Sequence, residues 1–232
     1  MSDNNISLKV NSVSGIELNL SNIDQLLEKS KTISSIDDLG ANIFSIFGGL
    51  TGVVSDTIKN YRAINGITLL KKYAEVTNSS KIVIEPDKIG SFYNILNFAS
   101  LENDTNLQDK WAVLLANTLN KEDSFNKLYI NLLSQLNEQE AKILDFIFDN
   151  TNELEFKSTF NRSQFPQNYV NSEELHIINM HLIGLGITKY VAPYGGIKIN
   201  SGYGLVEDNN LIQFTDLAYN FIKACKIFKS SE

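Results

Sequence analysis

Two histidines, one cysteine and a short acidic cluster are the side chains of this 232-residue sequence best suited to catalysis or metal binding. His176 and His181 stand five residues apart. On a helix that spacing turns them about 140° away from each other. Metal ligands must converge, so the pair is read as structural or solvent-facing, and no HExxH pattern surrounds it. Cys225 lies near the end of an apolar stretch and reads as a small buried hydrophobe. As the sole cysteine it cannot close an internal disulfide or build a multi-cysteine zinc site. Glu102, Asp104 and Asp109 gather beside Trp111. Paired carboxylates do acid–base work when their environments drive their pKa values apart. At the start of a helix, however, the same residues simply oppose the positive end of the helix dipole, and that simpler reading is preferred. The glycine pairs Gly184/Gly186, Gly195/Gly196 and Gly202/Gly204 lack any GxGxxG or GxxxxGK[ST] continuation, so they read as turns. The expectation is a protein that is not an enzyme, with no cofactor, no metal site and no small-molecule substrate.

The elements that carry these residues follow from periodicity. Alternation at Ile6, Leu8 and Val10, and again at Ile16, Leu18 and Leu20, predicts two short strands around Ser14-Gly15 or a loosely docked arm over 1–21. Ser21 is placed to cap a short helix. A long helical pattern runs from Ile36 to the turn cluster Asn78-Ser-Ser80. Pro86 suits the first turn of a helix reaching about Ser100. Leu107, Trp111, Leu114, Leu115 and Leu119 form the stripe of the next helix, and residues 125–136 give another. Asn137-x-x-Glu140 is a capping-box pattern ahead of a helix over about 138–149. Residues 150–170 read as a long irregular connection.

The last third has a different rhythm. A helix from Asn171 ends at Gly186, as a left-handed C-terminal cap would end it. Ile187–Val191, Ile197–Ile199 and Leu211–Phe214 are strand candidates, and Thr215 caps a final helix. Helix, strand, loop, strand, helix is the order of a small winged-helix-like unit. The predicted fold is therefore mainly α: a helical bundle over 22–149, followed by a winged-helix-like α+β part over 150–232.

The least ordinary stretch is 41–55, which holds no charged residue in 15 positions. It contains Phe44, Phe47, Gly48, Leu50 and Gly52, with Gly48 and Gly52 in GxxxG spacing. That spacing lets helices approach closely. As a helix it covers only about 22 Å, short of a bilayer core of about 30 Å. It is read as a core helix, an oligomer interface, or a latent segment that contacts a partner or a membrane on activation.

Charge narrows the partners. Asp and Glu number 27 against 20 Lys and Arg, a net charge of −7, and Arg62 and Arg162 are the only arginines. Phosphate backbones reward dense positive charge and bidentate arginine. From Glu140 onward 11 acidic residues face 8 basic ones. Nucleic acid is thus disfavoured, and a protein partner or self-association is expected. The start of the chain lacks a basic segment followed by an apolar one. A cytoplasmic protein is expected, peripheral at the inner membrane if the latent segment engages lipid.

The blocks Ser100–Leu119 and Tyr129–Leu144 resemble the Abi-alpha family. Its pattern is LE-x-(D/N)-x-x-L-Q-x-x-W-A-x-L-L-A-N, then L-x-x-L-x-x-x-E-A-x-I-L. The chain matches at Leu101, Glu102, Leu107, Gln108, Trp111, Ala112, Leu114, Leu115, Ala116 and Asn117, then at Leu133, Leu136, Glu140, Ala141, Ile143 and Leu144. The resemblance is strongest over 86–148 and weaker over 36–78. Many members carry His-Pro-Ser-Phe where this chain has Lys121-Glu-Asp-Ser-Phe125. The resemblance implies antiphage defence by abortive infection and brings no catalytic residue with it. The alternatives are an adaptor or antitoxin-like binding module and, after that, a winged-helix DNA-binding regulator. On the residues alone, Glu102 and Asn117 are polar positions able to satisfy buried backbone groups or a partner, while Leu107, Trp111, Leu114 and Leu115 belong to a helix core.

Overall fold

The computed structural model describes residues 7–11, 15–32, 56–120, 127–149, 159–160, 172–191 and 211–226. Two compact units form, one from residues 1–135 with 224–232 and one from 136–223. The described architecture is mainly helical with small antiparallel sheets.

In the first unit, strands β1 (Ser7–Asn11), β2 (Gly15–Asn19) and β3 (Lys81–Ile84) make an antiparallel sheet in that order. Leu18 pairs with Ile82 and Ile16 with Ile84. Leu18, Ile82 and Ile84 are fully buried, whereas Lys81 and Val83 face outward. That is the period-two alternation of a half-buried sheet. Helix α1 (Ile23–Thr32) follows. Ser21, expected to cap it, instead donates its hydroxyl to Asn19 Oδ1 at 2.6 Å. The helix begins at Ile23, so the residue that precedes it is Asn22 and not Ser21.

Helix α2 (Asp56–Thr77) ends at Asn78, whose φ of 50° is left-handed. Asparagine tolerates that conformation, and it lets the Ser79 N–H reach back to the Ala74 carbonyl at 3.1 Å. Pro86 opens a 3-10 turn (Pro86–Lys88) leading into α3 (Ile89–Ala99). Helices α4 (Thr105–Asn120) and α5 (Lys127–Leu133) complete the described part of the unit. Helix α4 packs on α2, α3 and α5. Leu107, Trp111, Leu114 and Leu115 are buried on it, and so are the polar Gln108, Lys110 and Thr118. A helix buried nearly all round is the centre of its core. Trp111 stacks on Phe98 with ring centroids 6.2 Å apart and planes 11° from parallel.

The second unit holds α6 (Glu138–Asp149), β4 (Thr159–Phe160), α7 (Ser172–Gly184), β5 (Thr188–Val191), β6 (Leu211–Phe214) and most of α8 (Asp216–Cys225). Its strands are antiparallel in the order β4-β6-β5. Strand β4 falls inside the stretch read as an irregular connection. It is only two residues long, too short to show alternation, and it exists through pairing of Phe160 with Ile212. Helix α7 ends as expected. Gly186 has a φ of 72°, the Ile187 N–H bonds to the Leu182 carbonyl at 2.9 Å, and the Gly186 N–H bonds to the Ile183 carbonyl at 2.9 Å. These are the two bonds of a Schellman cap. Thr215 Oγ1 accepts the Ala218 N–H at 3.2 Å and so caps α8. The strand expected at Ile197–Ile199 and the stretch 41–55 lie outside the described residues.

Replacing Trp111 with alanine removes the largest fully buried side chain. It is expected to lower stability by about 3–5 kcal/mol. Leu101→Ala, at a residue 53% exposed, is expected to stay within about 0.5 kcal/mol. Urea unfolding followed by far-UV circular dichroism checks both.

Candidate functional site

The polar residues of the 100–117 block meet at the turn between α3 and α4. Glu102 Oε1 accepts the Asp104 N–H at 2.8 Å, and Asp104 Oδ1 accepts the Leu107 N–H at 2.9 Å. Asp104 is therefore the N-cap of α4, satisfying the third amide of its first turn. Gln108 Nε2 donates to the Glu102 carbonyl at 2.6 Å and pins the turn from inside the helix. Gln108 Oε1 is buried with no hydrogen-bond partner among the described residues. Asp109 points elsewhere and is exposed, paired with Lys72. The three carboxylates thus serve three separate partners.

The other side of this turn is the carbonyl end of α3, and α2 supplies its partners. Arg62 Nη2 donates to Asn97 Oδ1 at 2.6 Å and to the Asn97 carbonyl at 3.1 Å, while its Nε donates to Ser100 Oγ at 3.0 Å. Asn65 Nδ2 donates to the Ser100 carbonyl at 3.2 Å, and the Tyr61 hydroxyl to the Leu101 carbonyl at 3.1 Å. A cation at a helix C-terminus is favoured by the dipole. Burial of Arg62 lowers its pKa from the usual guanidinium value, with the Tyr93 phenol acting in the opposite direction.

Further along α4, Asn117 Nδ2 donates to the Ala224 carbonyl at 2.8 Å, within the first unit. Leu107, Trp111, Leu114 and Leu115 are 2% exposed or less. The block is a helix core with its caps. Phe44, Phe47, Gly48, Leu50 and Gly52 lie outside the described residues.

A second polar centre lies in the second unit. Asn137 and Glu140 form a reciprocal box: the Asn137 N–H donates to Glu140 Oε2 and the Glu140 N–H to Asn137 Oδ1, each at 2.9 Å. The other carboxylate oxygen, Oε1, lies 2.6 Å from His181 Nδ1. The Glu140 side chain is 2% exposed and that of His181 41%. One buried carboxylate therefore closes the start of α6 and fixes an imidazole on α7. Spacing along the sequence revealed the box but not the histidine, 41 residues away. The available signal was a histidine in the last turn of a helix predicted to follow. His176 is exposed. Among the described residues no three His, Cys, Asp or Glu side chains are grouped to hold a metal ion. Cys225 is buried and unbonded to another cysteine.

A family model described as abortive infection alpha (Abi_alpha) matches residues 61–231. The chain belongs to the abortive infection alpha family. Comparison with curated proteins and with solved structures gives no significant match. The family match takes in both polar centres, from Arg62 at its start to His181 and beyond, whereas 41–55 lies upstream of it.

Within this family fold Asn137→Ala is expected to cost about 1 kcal/mol, the usual value of an N-cap. Glu140→Ala is expected to cost more, because it also strips the acceptor from His181. A Glu140→Ala/His181→Ala cycle, read by denaturant unfolding, is expected to give a coupling of about 0.5–3 kcal/mol. Additive effects would rule the contact out. Arg62→Met is expected to cost about 1.5–3 kcal/mol through its charged hydrogen bonds. Arg62→Lys is expected not to restore them, since an ammonium cannot reproduce the planar fork.

Proposed function

We propose that this chain acts in phage defence by abortive infection, as a cytoplasmic protein that works by contact rather than by catalysis. Membership of the abortive infection alpha family carries the reading. The hydrogen bonding of Glu102, Asp104, Gln108 and Glu140 supports the contact mechanism, because those motif residues are engaged in helix caps and turn bonds. The contact element in this proposal is the charge-free stretch 41–55, with Phe44, Phe47, Gly48, Leu50 and Gly52 facing a protein partner or a membrane surface once a phage trigger exposes it. Among the described residues no helix is long and apolar enough to cross a membrane. As a helix the 15-residue stretch 41–55 would cover only about 22 Å of a bilayer core of about 30 Å, so surface insertion is the membrane mode proposed.

The second unit is read as winged-helix-like. The order α6, β4, α7, β5, β6, α8 and the sheet order β4-β6-β5 support that topology. In such a unit α7 takes the position of the recognition helix. It carries no Lys or Arg, which weighs against phosphate contacts and favours a protein-binding role. The adaptor reading shares that feature.

Expression of the gene in a phage-challenged host is expected to kill infected cells before phage release, measured as infective centres and burst size. Unchanged burst size would remove the defence reading. With purified protein on anionic vesicles, Phe47→Asp is expected to abolish dye leakage given by the wild type. Equal leakage from both, or none from either, would remove the membrane branch.

A further inference from the structure

The contact between Glu140 and His181 leaves one imidazole nitrogen that the fold does not use. Glu140 itself is held in place. Its side chain is 2% exposed, its Oε2 accepts the Asn137 N–H at 2.9 Å, and its own N–H donates to Asn137 Oδ1 at 2.9 Å. Its remaining oxygen, Oε1, lies 2.6 Å from His181 Nδ1. A carboxylate oxygen only accepts, so Nδ1 carries the proton. The lone pair of the neutral ring is then on Nε2, across the ring from Glu140. Nε2 has no hydrogen-bond partner among the described residues, and the His181 side chain is 41% exposed. One ring nitrogen is anchored to a buried carboxylate while the other is offered to solvent. A buried carboxylate sets the tautomer and orientation of a reactive imidazole in just this way.

Three chemistries use such a nitrogen. A metal ion needs further converging ligands, and among the described residues no three His, Cys, Asp or Glu side chains are grouped to hold one. General-base catalysis gains most from a ring closed off from water, and this ring stands open to it. Covalent acceptance of a group needs only an accessible lone pair on a ring that is held, and His181 provides both. A ring that takes a group on Nε2 and keeps its Nδ1 proton becomes cationic. The Glu140 carboxylate lies against that cation, and His181 sits in the last turn of α7, where the helix dipole favours positive charge. An acylated imidazolium hydrolyses quickly in contact with water, whereas a phosphorylated one, with anionic oxygens beside the cationic ring, persists. We propose that His181 Nε2 is a phosphoryl-acceptor site, loaded by a donor that carries the phosphoryl group on nitrogen. The Nε2 lone pair forms the new N–P bond as the donor's N–P bond breaks. The bonding pair leaves with the donor nitrogen, which is already protonated and departs as a neutral amine. Nδ1 keeps its proton and its bond to Glu140, so no proton is released. This site goes beyond the contact reading and does not depend on it.

The chain has two histidines, so His176 is a control within the same molecule. It is exposed on the same helix and turned about 140° from His181, away from Glu140. Accessibility alone favours His176, whereas orientation by the carboxylate favours His181. Full-length protein is incubated with phosphoramidate, and phosphohistidine is located by tandem mass spectrometry and phosphorus NMR at alkaline pH. His181 is expected to be modified at least about tenfold faster than His176, and on Nε2. Glu140→Gln keeps a capping-box residue at its position while removing the charge. It is expected to bring the His181 rate to within about threefold of the His176 rate. In wild-type protein unfolded by urea the two rates are expected to converge, and this measurement decides the matter if the variant itself unfolds. Equal rates in the folded protein, faster modification of His176, modification on Nδ1, a His181 rate unchanged in folded Glu140→Gln, or a preference that survives urea would overturn the proposal.

Discussion

Because α4 is buried around nearly its whole circumference, the backbone groups at its two ends must find partners inside the protein. An unpaired buried amide or carbonyl costs as much as a lost hydrogen bond or more. The solution at the N-terminus is Asp104 on the Leu107 amide with Glu102 and Gln108 closing the turn behind it. At the C-terminus Lys88 Nζ donates to the Leu119 carbonyl at 3.0 Å. The preceding helix end is treated in the same way by Arg62, Asn65 and Tyr61. With these groups paired, Trp111 and its leucine neighbours stay buried. The polar residues of the block are thus a condition for the apolar ones.

The second unit repeats the principle with a single carboxylate. Glu140 accepts from a backbone amide through one oxygen and lies against His181 through the other. A buried carboxylate is costly unless it is hydrogen-bonded, and here each of its oxygens has a partner. The contact ties α6 to α7, whose Leu175, Ile178 and Leu182 are buried.

What the sequence made legible follows from the range of the bonds. The Asn137–Glu140 box, the Gly186 cap, Pro86 in a first turn and Thr215 as a cap all involve partners within a few residues, so residue type and spacing encode them. The α6 limits, Glu138–Asp149, match the expected 138–149 for that reason. Bonds between Arg62 and the end of α3, 35 to 38 residues apart, and between Glu140 and His181 are set only when the helices pack. Ser21 missed the cap because α1 starts at Ile23, which puts Asn22 and not Ser21 at the position before the helix. Strand β4 carried no periodicity to read.

The carboxylates of the family block look like a reaction centre in one dimension because Glu102, Asp104 and Asp109 fall within eight positions. In three dimensions Asp104 faces the helix amides, Glu102 faces the turn, and Asp109 faces Lys72. Acid–base catalysis needs carboxyls aimed at one shared substrate atom with distinct environments. Here each is aimed at a different protein group instead.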